Sequence, residues 1–215
     1  MDQINHLNTV DLSPLSDREI VQIFLTGPIL YQYGSSKVVR LSDDLLIKDG
    51  APGEASTAQF AATLGIHVPT VRRVIRTTLP HSTNREHWLI VMDYARGTVL
   101  DQLWPTLGPI ERRKVTKQVA SLLQRLQSTP LNSMPPGPVG GTDGEHWDGP
   151  FFTAYGAGPF HTVAEMEDWF NHKIEVCIQV GDMPSTTPRF RFDTLVLTHQ
   201  DVAPRNIIVE EVLGS

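Results

Sequence analysis

Apolar and polar positions change their period several times along the 215-residue chain, and each change marks an element. Ser16-Asp17-Arg18-Glu19 has the spacing of a capping box. Ile20, Ile23 and Phe24 then share one helical face before Gly27-Pro28 stops the run, which predicts a short amphipathic helix. From Ser36 the pattern becomes that of strands. Val38, Val39 and Leu41 form one, Ser42-Asp43-Asp44 a turn, and Leu45-Leu46-Ile47 the next, closed by Lys48. Lys37 beside them reads as an ordinary solvated lysine. Residues 50–53 predict a loop, and residues 54–64, rich in helix formers, a helix ended by Gly65. Further strands are predicted at 71–75 and 87–92.

Beyond Met92 the pattern turns helical. A short helix is predicted over 99–104 and a longer one from Gly108-Pro109, whose stripe of Val115, Val119, Leu122, Leu123 and Leu126 reads as core. A third follows Phe160, with Val163, Met166, Trp169, Phe170, Ile174 and Cys177 on its apolar face. Residues 130–159, rich in Pro and Gly, are long for a connection and read as an insertion. The stretch 195–209 predicts strand, polar loop, strand: Leu195-Val196-Leu197, then His199 to Asn206, then Ile207-Ile208-Val209. Pro204 pushes Ala203 out of the helical region, so the loop is expected not to coil.

Composition changes the picture in three ways. A chain of this length that is 40% hydrophobic can bury a substantial core. A formal charge of −6 without a basic stripe argues against nucleic acid as a partner. No apolar run resembles a signal peptide or a membrane span, so the expected location is cytoplasmic with no membrane partner. The single cysteine, Cys177, cannot form an intrachain disulfide; it predicts a reducing compartment and reads as a core residue.

The polar loop carries the chemistry. His199, Asp201 and Asn206 are spaced His-x-Asp-x-x-x-x-Asn. Phosphoryl transfer asks for a carboxylate that orients the attacking hydroxyl and accepts its proton, and for an amide oxygen five residues on that holds Mg²⁺ against the phosphates. The alternative is a polar turn that uses Asp, Pro and Asn only to satisfy its own geometry. Lys48 and Glu54 likewise have plain readings, a solvated lysine and a glutamate favouring a helix dipole.

Thr198-His199-Gln200-Asp201 followed by Pro204-Arg205-Asn206 resembles the catalytic loop of the protein-kinase-like fold. It is most similar to that of the aminoglycoside phosphotransferase family of small-molecule kinases, particularly the fungal members. Glu54, Ala55 and Phe60 match the family's helix start, and Gly158-Pro159-Phe160 matches a tripeptide habitual before a later helix. The resemblance implies an α+β, two-lobed fold. Residues 1–93 would give a nucleotide-binding lobe of antiparallel sheet plus helix, and residues 94–215 a hinge and a mainly helical lobe. It implies ATP-dependent transfer of a γ-phosphoryl group to a small-molecule hydroxyl, with ATP and Mg²⁺. Asp201 and His199 would be catalytic and Asn206 a metal ligand. Lys48 would contact the α and β phosphates, oriented by Glu54. Ser35 and Ser36, after Gly34, would cover the phosphates, and the backbone around Met92 and Tyr94 would meet the adenine edge. The family's second metal-binding aspartate lies about a dozen or more residues beyond the asparagine. Nine residues follow Asn206, so a truncated chain is expected, lacking that aspartate and the C-terminal helices that bind substrate. Two functions stay open: a phosphotransferase, and an inactive kinase-like protein that binds nucleotide or a partner.

Overall fold

The computed structural model describes residues 11–33, 36–80, 86–131, 134–137, 139 and 156–210. The fold is α+β. Five antiparallel strands make one sheet in the order β1-β2-β3-β5-β4: β1 (Ile29–Tyr33), β2 (Ser36–Arg40), β3 (Leu45–Gly50), β4 (Val71–Thr78) and β5 (Glu86–Asp93). Helix α1 (Asp17–Thr26) precedes it with the expected capping box: the Glu19 N–H donates to Ser16 Oγ, and the Ser16 N–H donates to Glu19 Oε2 at 2.8 Å. The face it buries is the periodic one. Ile20 and Phe24 pack against Val39, Leu41, Leu45, Ile47, Leu89 and Val91, which form the core under one side of the sheet. Each such side chain, fully withdrawn from water, contributes about 1.5–3 kcal/mol.

Several expectations are corrected here. β1 had no prediction, because Ile29, Leu30 and Tyr31 are apolar without alternation; all three are exposed on an edge strand. Lys37 is not simply solvated. Its Nζ donates to the carbonyls of Phe24 (2.7 Å) and Leu25 (3.3 Å) and lies over the Phe24 ring, closing the C-terminal end of α1 where a cation is favoured. Lys48 does not close its strand, since β3 runs on to Gly50. Helix α2 (Pro52–Thr63) starts two residues early because Pro52 takes the first turn, where its missing N–H costs nothing.

The second half is mainly helical, with α3 (Leu100–Leu103), α4 (Pro109–Gln127) and α5 (Val163–Gln179). A turn of 3-10 helix, Trp104–Thr106, extends α3. The stripe on α4 is only partly core: Leu126 is buried and Leu123 packs beside it, whereas Leu122 faces water. On α5 Met166 and Ile174 are buried, while Trp169, Phe170 and Cys177 are half-buried. Phe160, Trp169, Phe170 and Phe192 form an aromatic cluster beneath α5. Of the Pro/Gly-rich insertion, residues 140–155 lie outside the described residues. No helix among the described residues is long and apolar enough to cross a membrane.

The predicted strand at 195–197 is reduced to one bridge, Val196 to Pro130, beside a hydrogen bond from the Leu131 N–H to the Leu195 carbonyl. The strand after the loop is short: β7 (Ile208–Val209) pairs antiparallel with β6 (Thr98–Val99). Gly97 makes this approach possible. Its φ is +132°, and a Cβ there would lie 2.4 Å from the Val209 carbonyl oxygen. The loop also coils, against expectation, into a 3-10 turn at Pro204–Asn206. Proline at the first position of a turn sets its φ correctly. What Pro204 does exclude is extension backwards, and Ala203 is extended at φ −130°, ψ 150°.

Candidate functional site

Two groups of the expected site residues assemble. The first lies on β3 and α2. Lys48 pairs in register with Ile90 and Val38, and Leu46 with Met92, so Lys48, Ile90 and Met92 share one face of the sheet. This face is opposite the one that α1 covers. Helix α2 brings its first turn over it, and the Lys48 ammonium donates to Glu54 Oε1. Both partners are partly screened from solvent, with side chains 28% and 39% exposed. The short connection is what brings them together: one residue, Ala51, separates strand from helix.

The second group is the loop itself. Both Asp201 oxygens accept from Arg205 Nη2, at 2.7 and 2.9 Å. Asn206 Nδ2 donates to Asp201 Oδ2 at 2.8 Å and to the Asp201 carbonyl at 3.0 Å. The Asp201 N–H donates to His199 Nδ1 at 3.3 Å, and the intervening Gln200 sits in the left-handed region at φ 63°, uncommon for a residue with a Cβ. The Asn206 hydrogen bond, then Arg205 and the His199 ring, hold the Asp201 carboxyl below the usual carboxylate range. Ionised, it is a hydrogen-bond acceptor only, the form a proton acceptor must start from.

The loop is tied at its start to the helix that carries Glu54 and at its end to the elements that follow β5. Leu197, two residues before His199, is buried with Leu126 and Val139, and Phe60 of α2 and Leu64 just after it pack on that cluster. Arg125 of α4 donates to the Gly65 carbonyl, and Thr57 of α2 to that of Val139. Behind the loop, the Leu100 N–H donates to the Ile207 carbonyl, beside the β6–β7 pair that follows β5.

The remaining expected residues are less committed. Ser36 is exposed at the start of β2, and Ser35 lies outside the described residues. Met92 lies one residue before the end of β5, on the Lys48 face. The Asp93 and Tyr94 N–H groups already donate to the carbonyls of Thr70 and Asp44, so an adenine edge would have to be met by carbonyls or by the backbone from Ala95 on. Asp93 also forms a two-pronged ion pair with Arg72 at 2.6 and 2.9 Å, and the Arg40 guanidinium covers the Tyr94 ring.

The loop does not fit a resident Mg²⁺. Among the described residues no group of three or more metal-capable His, Cys, Asp or Glu occurs. Asp201, the loop's carboxylate, faces a guanidinium, which leaves the amide oxygens of Gln200 and Asn206 as the loop's side-chain oxygens for a cation that prefers carboxylates. Arg205 had no assigned role in the sequence, although its place four residues after Asp201 was the signal that could have found it. A shallow depression of about 240 Å³ lies beside the loop, floored by Leu123, Leu126 and Leu197 and rimmed by Thr198, His199 and Gln200. Asp201 does not line it.

Compared with known proteins, the chain matches no family model, no curated protein and no solved structure.

Proposed function

We propose that this chain is a kinase-like phosphotransferase that moves the γ-phosphoryl group of ATP to a small-molecule hydroxyl, a member of the aminoglycoside phosphotransferase family by its loop and helix motifs. The observation that carries this reading is the Lys48–Glu54 pair, which unites two residues whose plain readings gave no reason for them to meet. In protein kinases a strand lysine oriented by a helix glutamate holds the nucleotide phosphates. The sheet with α2, followed by a helical half, has the order of parts that a two-lobed kinase-like fold requires.

In this reading ATP arrives as its Mg²⁺ complex, the metal belonging to the substrate. Lys48 meets the α and β phosphates, and Glu54 keeps its ammonium from turning to solvent. Asp201 accepts the proton of the acceptor hydroxyl while that oxygen bonds to the γ-phosphorus and the bond to the β–γ bridging oxygen breaks, releasing ADP. His199 keeps the loop backbone in place through the Asp201 N–H, and Asn206 fixes the carboxylate.

One observation favours the second reading, a kinase-like protein that binds nucleotide without transfer: Arg205 occupies both oxygens of Asp201, and no second carboxylate stands beside it among the described loop residues. Phosphorus NMR of MgATP with the chain and a panel of polyols, amino alcohols and aryl alcohols separates the two. Transfer predicts a new phosphomonoester signal that Asp201→Asn abolishes. Binding without any new signal across the panel favours the second reading, and absence of ATP binding contradicts both.

A further inference from the structure

Gly50 ends β3 directly opposite Trp88, on the same face as Lys48 two residues earlier. A Cβ at this position would lie 2.6 Å from Glu54 Oε2 and 2.7 Å from Ile90 Cδ1. Real side chains do not approach so closely, so any residue larger than glycine forces both neighbours to move. They are not equally free. Ile90 is fully buried, in the interior next to Lys48, where close packing resists displacement. The Glu54 carboxylate is the end of a flexible, partly exposed side chain that can swing to water at little cost. Gly50 has no left-handed backbone angle, so a Cβ meets no conformational penalty of its own.

We propose that Gly50 is a positioning residue for the nucleotide site: its missing side chain is the space into which Glu54 fits, and so it preassembles the Lys48–Glu54 pair across a one-residue connection. This rests on the reading of Lys48 as the nucleotide's lysine. A longer connection would let the helix carry its glutamate towards or away from the lysine. With only Ala51 between β3 and α2, and Pro52 stiffening the first turn, strand and helix have no slack, and the fit depends on glycine. The pair is thereby built into the fold.

The test uses Gly50→Ala, Glu54→Gln and the double variant of the full chain, with two readouts. The first is the acylation rate of Lys48 by N-hydroxysuccinimide acetate, followed by peptide mass spectrometry, which requires no ligand. The proposal predicts that Gly50→Ala speeds labelling several-fold, to the rate of Glu54→Gln, and that the double variant is no faster, while the strain on buried Ile90 lowers the melting temperature by the same amount in both backgrounds. The second is affinity for the non-hydrolysable analogue AMPPNP. Gly50→Ala is expected to weaken it about tenfold in the parent background and not at all in the Glu54→Gln background, the non-additivity that marks two residues acting through one contact. Unchanged Lys48 labelling in Gly50→Ala, or additive effects in the double variant, overturns the proposal. If labelling responds as predicted but the parent binds no AMPPNP, the Gly50 fit stands and the phosphotransferase reading fails.

Discussion

The two groups of site residues are held in different ways. Lys48 and Glu54 stand on a strand and a helix, half-screened, above a sheet whose core side chains Ile47, Leu89 and Val91 are wholly buried. Asp201, Arg205 and Asn206 stand on an irregular loop, with Asp201 and Arg205 60% and 54% exposed, and hold one another by side-chain hydrogen bonds. The first group takes its geometry from packing, so what disturbs it is a change in volume. The second takes it from a local polar network, so what disturbs it is the loss of a donor or acceptor.

The largest effect that separates them is on stability. Ile47→Ala removes a fully buried side chain from the sheet and is expected to cost about 2–5 kcal/mol in a urea melt. Asp201→Asn is expected to leave the melt nearly unchanged, as an exposed pair allows. Comparable losses from both would mean that the loop is as much a part of the core as the sheet.

Catalysis should reverse that order. Asp201→Asn keeps the shape of the side chain and removes the proton acceptor, so turnover should fall about a hundredfold or more with nucleotide affinity nearly unchanged, as steady-state kinetics would record. Lys48→Ala should instead lower affinity for an ATP analogue by one or two charge-assisted contacts, about 1.5–3 kcal/mol each, read by titration calorimetry. A Lys48→Ala variant that binds as the parent does would remove the lysine from the nucleotide site.

What the sequence showed and what it hid follow the same division. The capping box at Ser16, the helix that starts after Gly108 and the two strands on either side of the turn at Ser42-Asp43-Asp44 were legible because period and caps are local signals. The Lys48–Glu54 pair came from a resemblance and met its geometry in the fold. Three things needed contacts distant in sequence. Lys37 caps a helix that ends a strand away, Gly50 makes room for a residue on the next element, and Gly97 makes room for the strand that follows the loop. A glycine in a sequence announces a turn or a close approach without saying to what. The strand at 195–197 failed for a related reason: an apolar triplet becomes a strand only if a partner runs beside it, and here that partner is the single bridge at Pro130.

The smallest expected effect concerns the end of β5. Arg72, through its hydrogen bonds, holds the Asp93 carboxyl below the ordinary range. A depressed folded-state value means that this contribution is fully present above the ordinary carboxylate pKa and is lost as pH falls through the folded value. The stability difference between the parent and Arg72→Gln should therefore hold above about pH 4 and shrink below it. The pair is substantially exposed, so its size should be at most about 1 kcal/mol. A difference that grows on acidification would contradict the assignment.

One ligand is expected to engage both groups, the packed one and the loop. Amide NMR of the labelled chain during titration with Mg-AMPPNP tests it directly. The signals of Lys48, Gly50 and Glu54 and those of Asp201 and Asn206 are expected to move together and fit a single dissociation constant. Movement in one group alone, or in neither at millimolar nucleotide, would contradict it.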